Sequence, residues 1–244
     1  MNLVLIDPTE LDRHGIVTLR DRRRAHLAEV LGVGVGDRVR VGVVNGPVGE
    51  GRLLAMTSES AVLQVSVSGP LPARPAVDLI VALPRPLMLK RILTQTASLG
   101  VGHIFLIKAN RVEKSYFQST LLQEENWLPF LLEGLEQAMD TRLPTVTVHP
   151  RFRPFVEDLL PGIIPEYQHS LLAHPEGAAN LVTVLGSRFG GRVLLAMGPE
   201  GGWVDFEVER FQSAGFASFS MGPRILRLET AVVALLAQLA LLRE

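Results

Sequence analysis

"LLAMGPEGGWVDFEVERF", Leu194–Phe211, passes from an apolar stretch through a loop with three glycines and a proline into a segment of helical rhythm. A strand that ends in a glycine-rich loop and restarts as a helix is the repeating unit of α/β proteins. The same order recurs from Val77 onward. "VDLIVAL", "HIFLIKA", "TVTVHP", "SLLAH", "RVLLAM" and "FASFSMG" are short apolar runs of strand type. Amphipathic segments lie between them at Leu87–Ser98, Leu121–Met139, Phe155–Leu160, Leu181–Phe189 and Asp205–Ser213, and "TAVVALLAQLALLRE" follows the last strand. Strands alternating with helices predict a mostly parallel sheet covered on both faces.

Upstream the rhythm differs. "RVRVGVV", "GRLLAM" and "AVLQVSVS" alternate with period two and are broken by turns such as "NGPVGEG". That pattern predicts short antiparallel strands forming a small β-barrel. "LGVGVGD" (Leu31–Asp37) leads into a strand rather than a helix, so it is a turn. Pro70, Pro72 and Pro75 crowd the stretch "SGPLPARPAVD" and stiffen a connector there. The expected division is a barrel over residues 1–72 and an α/β domain over residues 73–244.

Several function classes drop out. The chain has no cysteine, which removes disulfides, thiol nucleophiles and Cys-ligated zinc. The histidines at 14, 26, 103, 149, 169 and 174 show no metal-ligand spacing, so no metal is expected. No GxSxG elbow is present. "MNLVLIDPTELDR" lacks the pattern of a signal peptide, and the apolar run at Ala231–Leu242 is too short to span a bilayer. A soluble, cytoplasmic protein is the expectation.

A net charge of −1 means that the whole-chain field does not attract nucleic acid, so any RNA affinity must be local. Arg20, Arg22, Arg23 and Arg24, with Arg13 and His14 upstream, form the densest basic cluster. It is either a solvated helix start or an RNA contact.

In parallel sheets ligands bind beyond the C-terminal strand ends. "MGPEGGW" (Met197–Trp203) lacks the Lys-Ser/Thr of a phosphate-binding loop and the spacing of a dinucleotide fingerprint. Glu200 would repel a phosphate, whereas a carboxylate accepts from hydroxyl, amino or guanidinium groups. A nucleoside without phosphate suits this loop; a tight turn with a helix-capping acid is the alternative. "SMGPRILRLETA" (Ser220–Ala231) repeats the strand, Gly-Pro, helix order, with Arg224 and Arg227 ahead of Glu229 and Thr230. Glu229 or Thr230 could cap the last helix. In "LLAHPEG" (Leu171–Gly177), His174 has the default of a surface histidine.

"MGPEGGW", followed some twenty residues later by "MGPRILRLETA", resembles the signature of the bacterial 16S rRNA uridine-N3 methyltransferases of the SPOUT class. "RAHLAEVLGVGVGDRVRV", "LKRILTQTASLGVGHIFLIKANRVEKS" and "LLEGLEQAMDTRLPTV" are similar to other stretches of that family, so the likeness covers most of the chain. It implies an N-terminal PUA-like β-barrel that contacts RNA and a C-terminal α/β domain with a trefoil knot. It also implies S-adenosylmethionine as cofactor, held mainly by backbone groups. That molecule carries no phosphate, so an acid in the loop is tolerated.

By position, the implied cofactor pocket is Leu172, Ala173 and His174; Met197, Gly198, Pro199, Glu200, Gly201 and Gly202; Met221, Gly222, Ile225 and Leu226; and Thr230 with Ala231. Arg227 and Glu229 are the implied catalytic pair. Arg227 would stabilise negative charge on a uracil carbonyl, and Glu229 would orient it or accept the N3 proton. Arg111 and Arg142 join Arg20, Arg22, Arg23 and Arg24 as candidate RNA contacts. The implied partner is 16S rRNA in the small ribosomal subunit, and the implied assembly is a homodimer. One position departs from the family: Val30-Leu31 is followed by Gly32 where relatives commonly have arginine. That departure keeps open a different RNA substrate. A non-catalytic RNA-binding or ribosome-assembly factor is the remaining alternative, against which Arg227 and Glu229 argue.

Overall fold

The alternating stretches fold as strands β3 (Arg38–Val43), β4 (Val48–Met56) and β5 (Ala61–Val67) in the computed structural model, which describes residues 2–177 and 179–243. Two short strands that the alternation did not announce, β1 (Val4–Ile6) and β2 (Ile16–Leu19), join them. The sheet order is β1-β3-β4-β5-β2. β1 lies parallel to β3 and the other pairings are antiparallel. β1 and β2 stay at opposite edges, so the sheet curls into a half-barrel and does not close. A register shift between Leu53 and Ala55 sharpens the bend of β4. Val41, Leu53 and Leu63 point inward from the three long strands and meet Leu27 in the core.

The chain divides into two compact units, Met1–Arg74 with Leu132–Leu143, and Pro75–Leu131 with Pro144–Glu244. The helix Glu124–Ala138, which holds Pro129 in its interior, spans that division. Its last residues and the turn after it belong to the half-barrel. Thr141, 1% exposed, donates its hydroxyl to the Gly46 carbonyl at 2.6 Å and accepts the Asn45 N–H on its own carbonyl at 2.7 Å. The Asn2 N–H donates to the Glu136 carbonyl at 3.1 Å.

The second unit holds β6 (Val77–Ala82), β7 (Val101–Ile107), β8 (Thr145–His149), β9 (His169–Ala173), β10 (Val193–Met197) and β11 (Ala217–Phe219). Its sheet order is β11-β9-β10-β6-β7-β8, parallel throughout. β10 is buried at all five residues and β6 at its last five, as expected for strands covered on both faces. The chain lays β6, β7 and β8 outward in turn, then crosses to the other side for β9, β10 and β11.

The helices track the amphipathic segments at Pro86–Ser98, Glu124–Ala138 and Asp205–Ser213. Two differ from expectation. The Leu181 helix stops at Leu185, because Gly186 turns the backbone at φ +86. The Phe155 segment is part of a longer irregular run from Phe152 to Glu166, with a π-helical stretch at Phe155–Leu159. At the N-terminal ends of the strands, the buried Asp78 carboxylate accepts from the His103 N–H (2.8 Å), the Tyr167 hydroxyl and Arg192 (both 2.5 Å). Among the described residues no helix is long and apolar enough to cross a membrane.

Candidate functional site

Parallel register decides which loops meet. Ala173 is the partner of Met197 on one side and of Phe219 on the other, so β9, β10 and β11 end level. Val81 is level with Met197, and Ile107 with Ala82, which brings the ends of β6 and β7 to the same rim. The segments Leu172–His174, Met197–Gly202 and Met221–Leu226 therefore leave the sheet beside one another.

The first and third of them interlock. The His174 N–H donates to the Phe219 carbonyl at 3.0 Å, and the Ser220 N–H donates to the Ala179 carbonyl at 2.8 Å. Gly177 makes this crossing possible, since a Cβ there would lie 2.5 Å from the Phe219 carbonyl carbon. His174 is not a plain surface residue: it is half-buried, and its Nδ1 is shielded from solvent without a hydrogen-bond partner among the described residues.

The Met197 loop turns tightly, the Gly202 N–H donating to the Pro199 carbonyl at 2.7 Å with Gly202 at φ +75. Glu200 is not a helix cap. The following helix starts at Asp205, and Glu200 instead faces Arg85 at 3.6 Å. The pKa of Arg85 is raised, chiefly by the Tyr116 hydroxyl and then by the Glu200 charge. Helix capping falls to Glu207, 2% exposed, whose carboxylate accepts the Val204 N–H at 3.1 Å and the Asn110 N–H at 2.6 Å. Arg111, on the same loop as Asn110, donates to the Gly201 carbonyl. Trp203, 4% exposed, packs against Gly198 and Phe211, and its Nε1–H has no partner among the described residues.

Beyond Phe219 the chain opens out. Gly222, Ile225 and Leu226 are exposed, Ile225 by 86%, and Met221 is half-buried. The last helix runs from Leu228 to Leu242 with Arg227 as its N-cap residue. Glu229 and Thr230 thus lie inside the first turn, and neither is the cap. Arg227 is exposed and Glu229 half-buried; neither makes an ion pair or a side-chain hydrogen bond among the described residues, so they do not hold each other. Ala231 donates its N–H to the Arg227 carbonyl at 2.9 Å, and Thr230 beside it is exposed.

The candidate RNA arginines have divergent placements. Arg23, its side chain 11% exposed, is engaged inside the first unit by Glu10 (2.5 Å), Asp21 (2.7 Å) and the Leu5 carbonyl (2.6 Å). Arg22 pairs with Glu136 at 2.7 Å, and Arg24 donates to the Thr57 carbonyl. Arg20 is exposed and has no side-chain partner among the described residues, as is true of half-buried Arg142. In the second unit, Lys108 donates to the Val112 carbonyl, and burial, followed by the Lys114 charge, keeps its pKa below the usual lysine range.

Arg85, Asn110, Glu207 and Tyr116 are the residues around this rim that sequence reasoning passed over. No local motif marks them, because each acts across strands that are distant in sequence.

Residues 72–240 match the family described as RNA methyltransferase domain. A relative from Treponema pallidum, named Ribosomal RNA small subunit methyltransferase E, is 35% identical over 243 residues, covering 96% of this chain and 88% of the relative. Among solved structures, a putative methyltransferase from Legionella pneumophila with bound SAM superposes with a TM-score of 0.80 at 19% identity, covering 99% of this chain and 98% of that one. Ribosomal RNA small subunit methyltransferase E from Neisseria gonorrhoeae, bound to S-adenosyl methionine, gives 0.76 at 21%, covering 98% and 96%. These likenesses show the fold: a curled half-barrel and an α/β domain with a parallel sheet, shared with those methyltransferase structures. With level strand ends, interlocked loops and a match over residues 72–240, the chain belongs to the RNA methyltransferase family.

Proposed function

We propose that the chain transfers a methyl group from S-adenosylmethionine to N3 of a uridine in 16S rRNA of the small ribosomal subunit. The observation that carries this reading is the level ending of β9, β10 and β11, which gathers Leu172–His174, Met197–Gly202 and Met221–Leu226 at one rim. The family match and the names of the relatives supply the substrate class.

The residues present fit that cofactor. Gly198 and Gly201 let Trp203 and Arg111 pack closely on the turn, and the two arginines beside it are engaged within it, Arg111 by the Gly201 carbonyl and Arg85 by Glu200, so neither stands open for a phosphate. The shielded Nδ1 of His174 and Nε1–H of Trp203 are polar atoms without partners among the described residues. When bound, S-adenosylmethionine supplies a methyl group made electrophilic by its sulfonium. Leu172, Ala173, His174, the Met197–Gly202 turn, Met221, Gly222, Ile225 and Leu226, with Thr230 and Ala231, would hold it.

Uridine N3 becomes nucleophilic on losing its proton. Arg227, exposed and uncommitted, meets the negative charge that then builds on a uracil carbonyl, and Glu229 accepts the proton. The half-barrel grips the RNA, with Arg20 and Arg142 as contacts. Exposed Ile225 and Leu241 (82%) supply apolar surface for a second copy of the chain, and the enzyme works in the cytoplasm.

A second reading, the same chemistry on another RNA, draws on Gly32. Its φ of +61 disfavours the arginine that the resemblance leads one to expect there. Primer extension on small-subunit RNA tests the first reading, because an N3-methyl group blocks base pairing. A stop present in wild type should vanish in a strain lacking the protein and return with it. A stop that persists in that strain would overturn the 16S assignment.

A further inference from the structure

Three arginines that no motif singled out occupy the outer face of the half-barrel. Along β3 burial alternates, with Arg38 and Arg40 exposed and Val39 and Val41 buried. In the antiparallel ladder Arg52 stands directly opposite Arg38, and Glu50 opposite Arg40. Like charges directly across such a ladder, with Cβ atoms about 4.5–5.5 Å apart, repel one another. Glu50 bonds Arg38 at 2.9 Å. Arg40 reaches only the Met139 Sδ at 3.0 Å, and Arg52 has no ion-pair or hydrogen-bond partner among the described residues. Asp37, at the start of the strand, accepts the Gly34 N–H. Of the three guanidiniums, only that of Arg38 pairs with a carboxylate among the described residues. Beside them is a cleft of about 250 Å³ with Leu3, Leu31 and Val33 in its lining and Arg38 and Arg40 among its polar groups. Leu31 is 48% exposed there.

We propose that this face is a binding site for the backbone of single-stranded RNA. One phosphodiester sits between Arg38 and Arg52 and relieves their repulsion, Arg40 contacts the next, and the apolar cleft receives an unstacked base. This rests on the reading that the substrate is RNA, and it names the surface of the first unit that meets it. The fit follows from chemistry: guanidiniums pair with phosphate oxygens, and Leu31 and Val33 offer an unstacked base an apolar surface beside them.

The test uses the full chain and fluorescently labelled, deproteinised 16S rRNA fragments, with anisotropy followed across a series of salt concentrations. R38Q/R52Q is expected to bind roughly tenfold more weakly at about 100 mM salt, with a log–log salt slope shallower by about one to two. S-adenosylmethionine binding should stay unchanged, and the melting temperature should change little, because the exposed Arg38–Glu50 ion pair that is lost is weak and a repulsive pair goes with it. R38K/R52K retains the charges and should retain the slope. Equal affinity and slope for wild type and R38Q/R52Q would overturn the site. So would a defect seen with intact small subunits but not with bare RNA, which would assign the face to a protein contact. If the wild type itself bound no RNA, the methyltransferase reading would fail first, and the site with it.

Discussion

Arg111 donates its guanidinium to the Gly201 carbonyl, and its side chain occupies the space that a Cβ on Gly201 would need, 3.1 Å from the Arg111 Cδ. Together with Arg85 facing Glu200, this holds the Met197–Gly202 turn from two sides. Arg111 was a candidate RNA contact in the sequence; here it braces the rim.

Truncating Arg111 should therefore loosen the cofactor loop. A charge-assisted hydrogen bond contributes about 1.5–3 kcal/mol, less when exposed, so R111A is expected to weaken S-adenosylmethionine binding roughly tenfold. Calorimetry measures this directly. Unchanged cofactor affinity together with a shallower RNA salt slope would return Arg111 to the RNA.

Arg227 and Glu229 should act on the chemical step alone. R227A is expected to lower the single-turnover rate by about a hundredfold or more, and E229Q by about tenfold to a hundredfold, with cofactor affinity intact. Rapid-quench methyl transfer at saturating cofactor is the measurement. Wild-type rates in both variants would remove the pair from the mechanism.

Glu136 is 2% exposed, and burial raises its pKa while Arg22 pulls it back down. R22A leaves that carboxylate buried and uncompensated. The expected loss is about 2 kcal/mol in urea denaturation at pH 7, toward the low end because Arg22 is half-exposed. With the native pKa above the unfolded one, the native state holds the proton longer, and the Glu136 penalty is absent below the unfolded value near 4.5. The R22A deficit should accordingly narrow in acid, and E136M in the R22A background should recover most of it at pH 7.

His103 and His149 both contact the Thr147 hydroxyl, at 2.9 and 3.0 Å. Burial is the main cause that lowers both pKa values below the ordinary 6.5. Between the lowered and ordinary values the unfolded chain binds more protons than the native one, so stability rises with pH in that window. The urea midpoint should be lower at pH 5.5 than at 7.5, and H103N/H149N should flatten the difference. An identical slope in that variant would assign the acid sensitivity to other groups.

Much of the architecture was legible because burial leaves periodic traces. The six apolar runs from Val77 onward are all strands, and the glycine-rich loops stand where strand ends were expected. Charged residues were less legible, since their roles depend on partners remote in sequence. Arg23 lies in the most basic stretch, yet Glu10 and Asp21 absorb its charge. Helix capping, the alternative role open to Glu200, falls to Glu207, seven residues on, because the helix begins only at Asp205. Pairing of β1 with β3 left no local mark, for parallel partners need not be neighbours in sequence.

The return of residues 132–143 to the half-barrel has a consequence for biosynthesis. Asn45 and Gly46 wait for Thr141, and Asn2 waits for Glu136, so the amino-terminal module cannot complete its hydrogen bonds while only its own first 74 residues have left the ribosome. The core of that module lies within residues 4–67, but its last hydrogen bonds form only after the later segment has been made. A nascent chain arrested near residue 100 should remain protease-sensitive in its opening segment, whereas one arrested after residue 143 has cleared the exit tunnel should not.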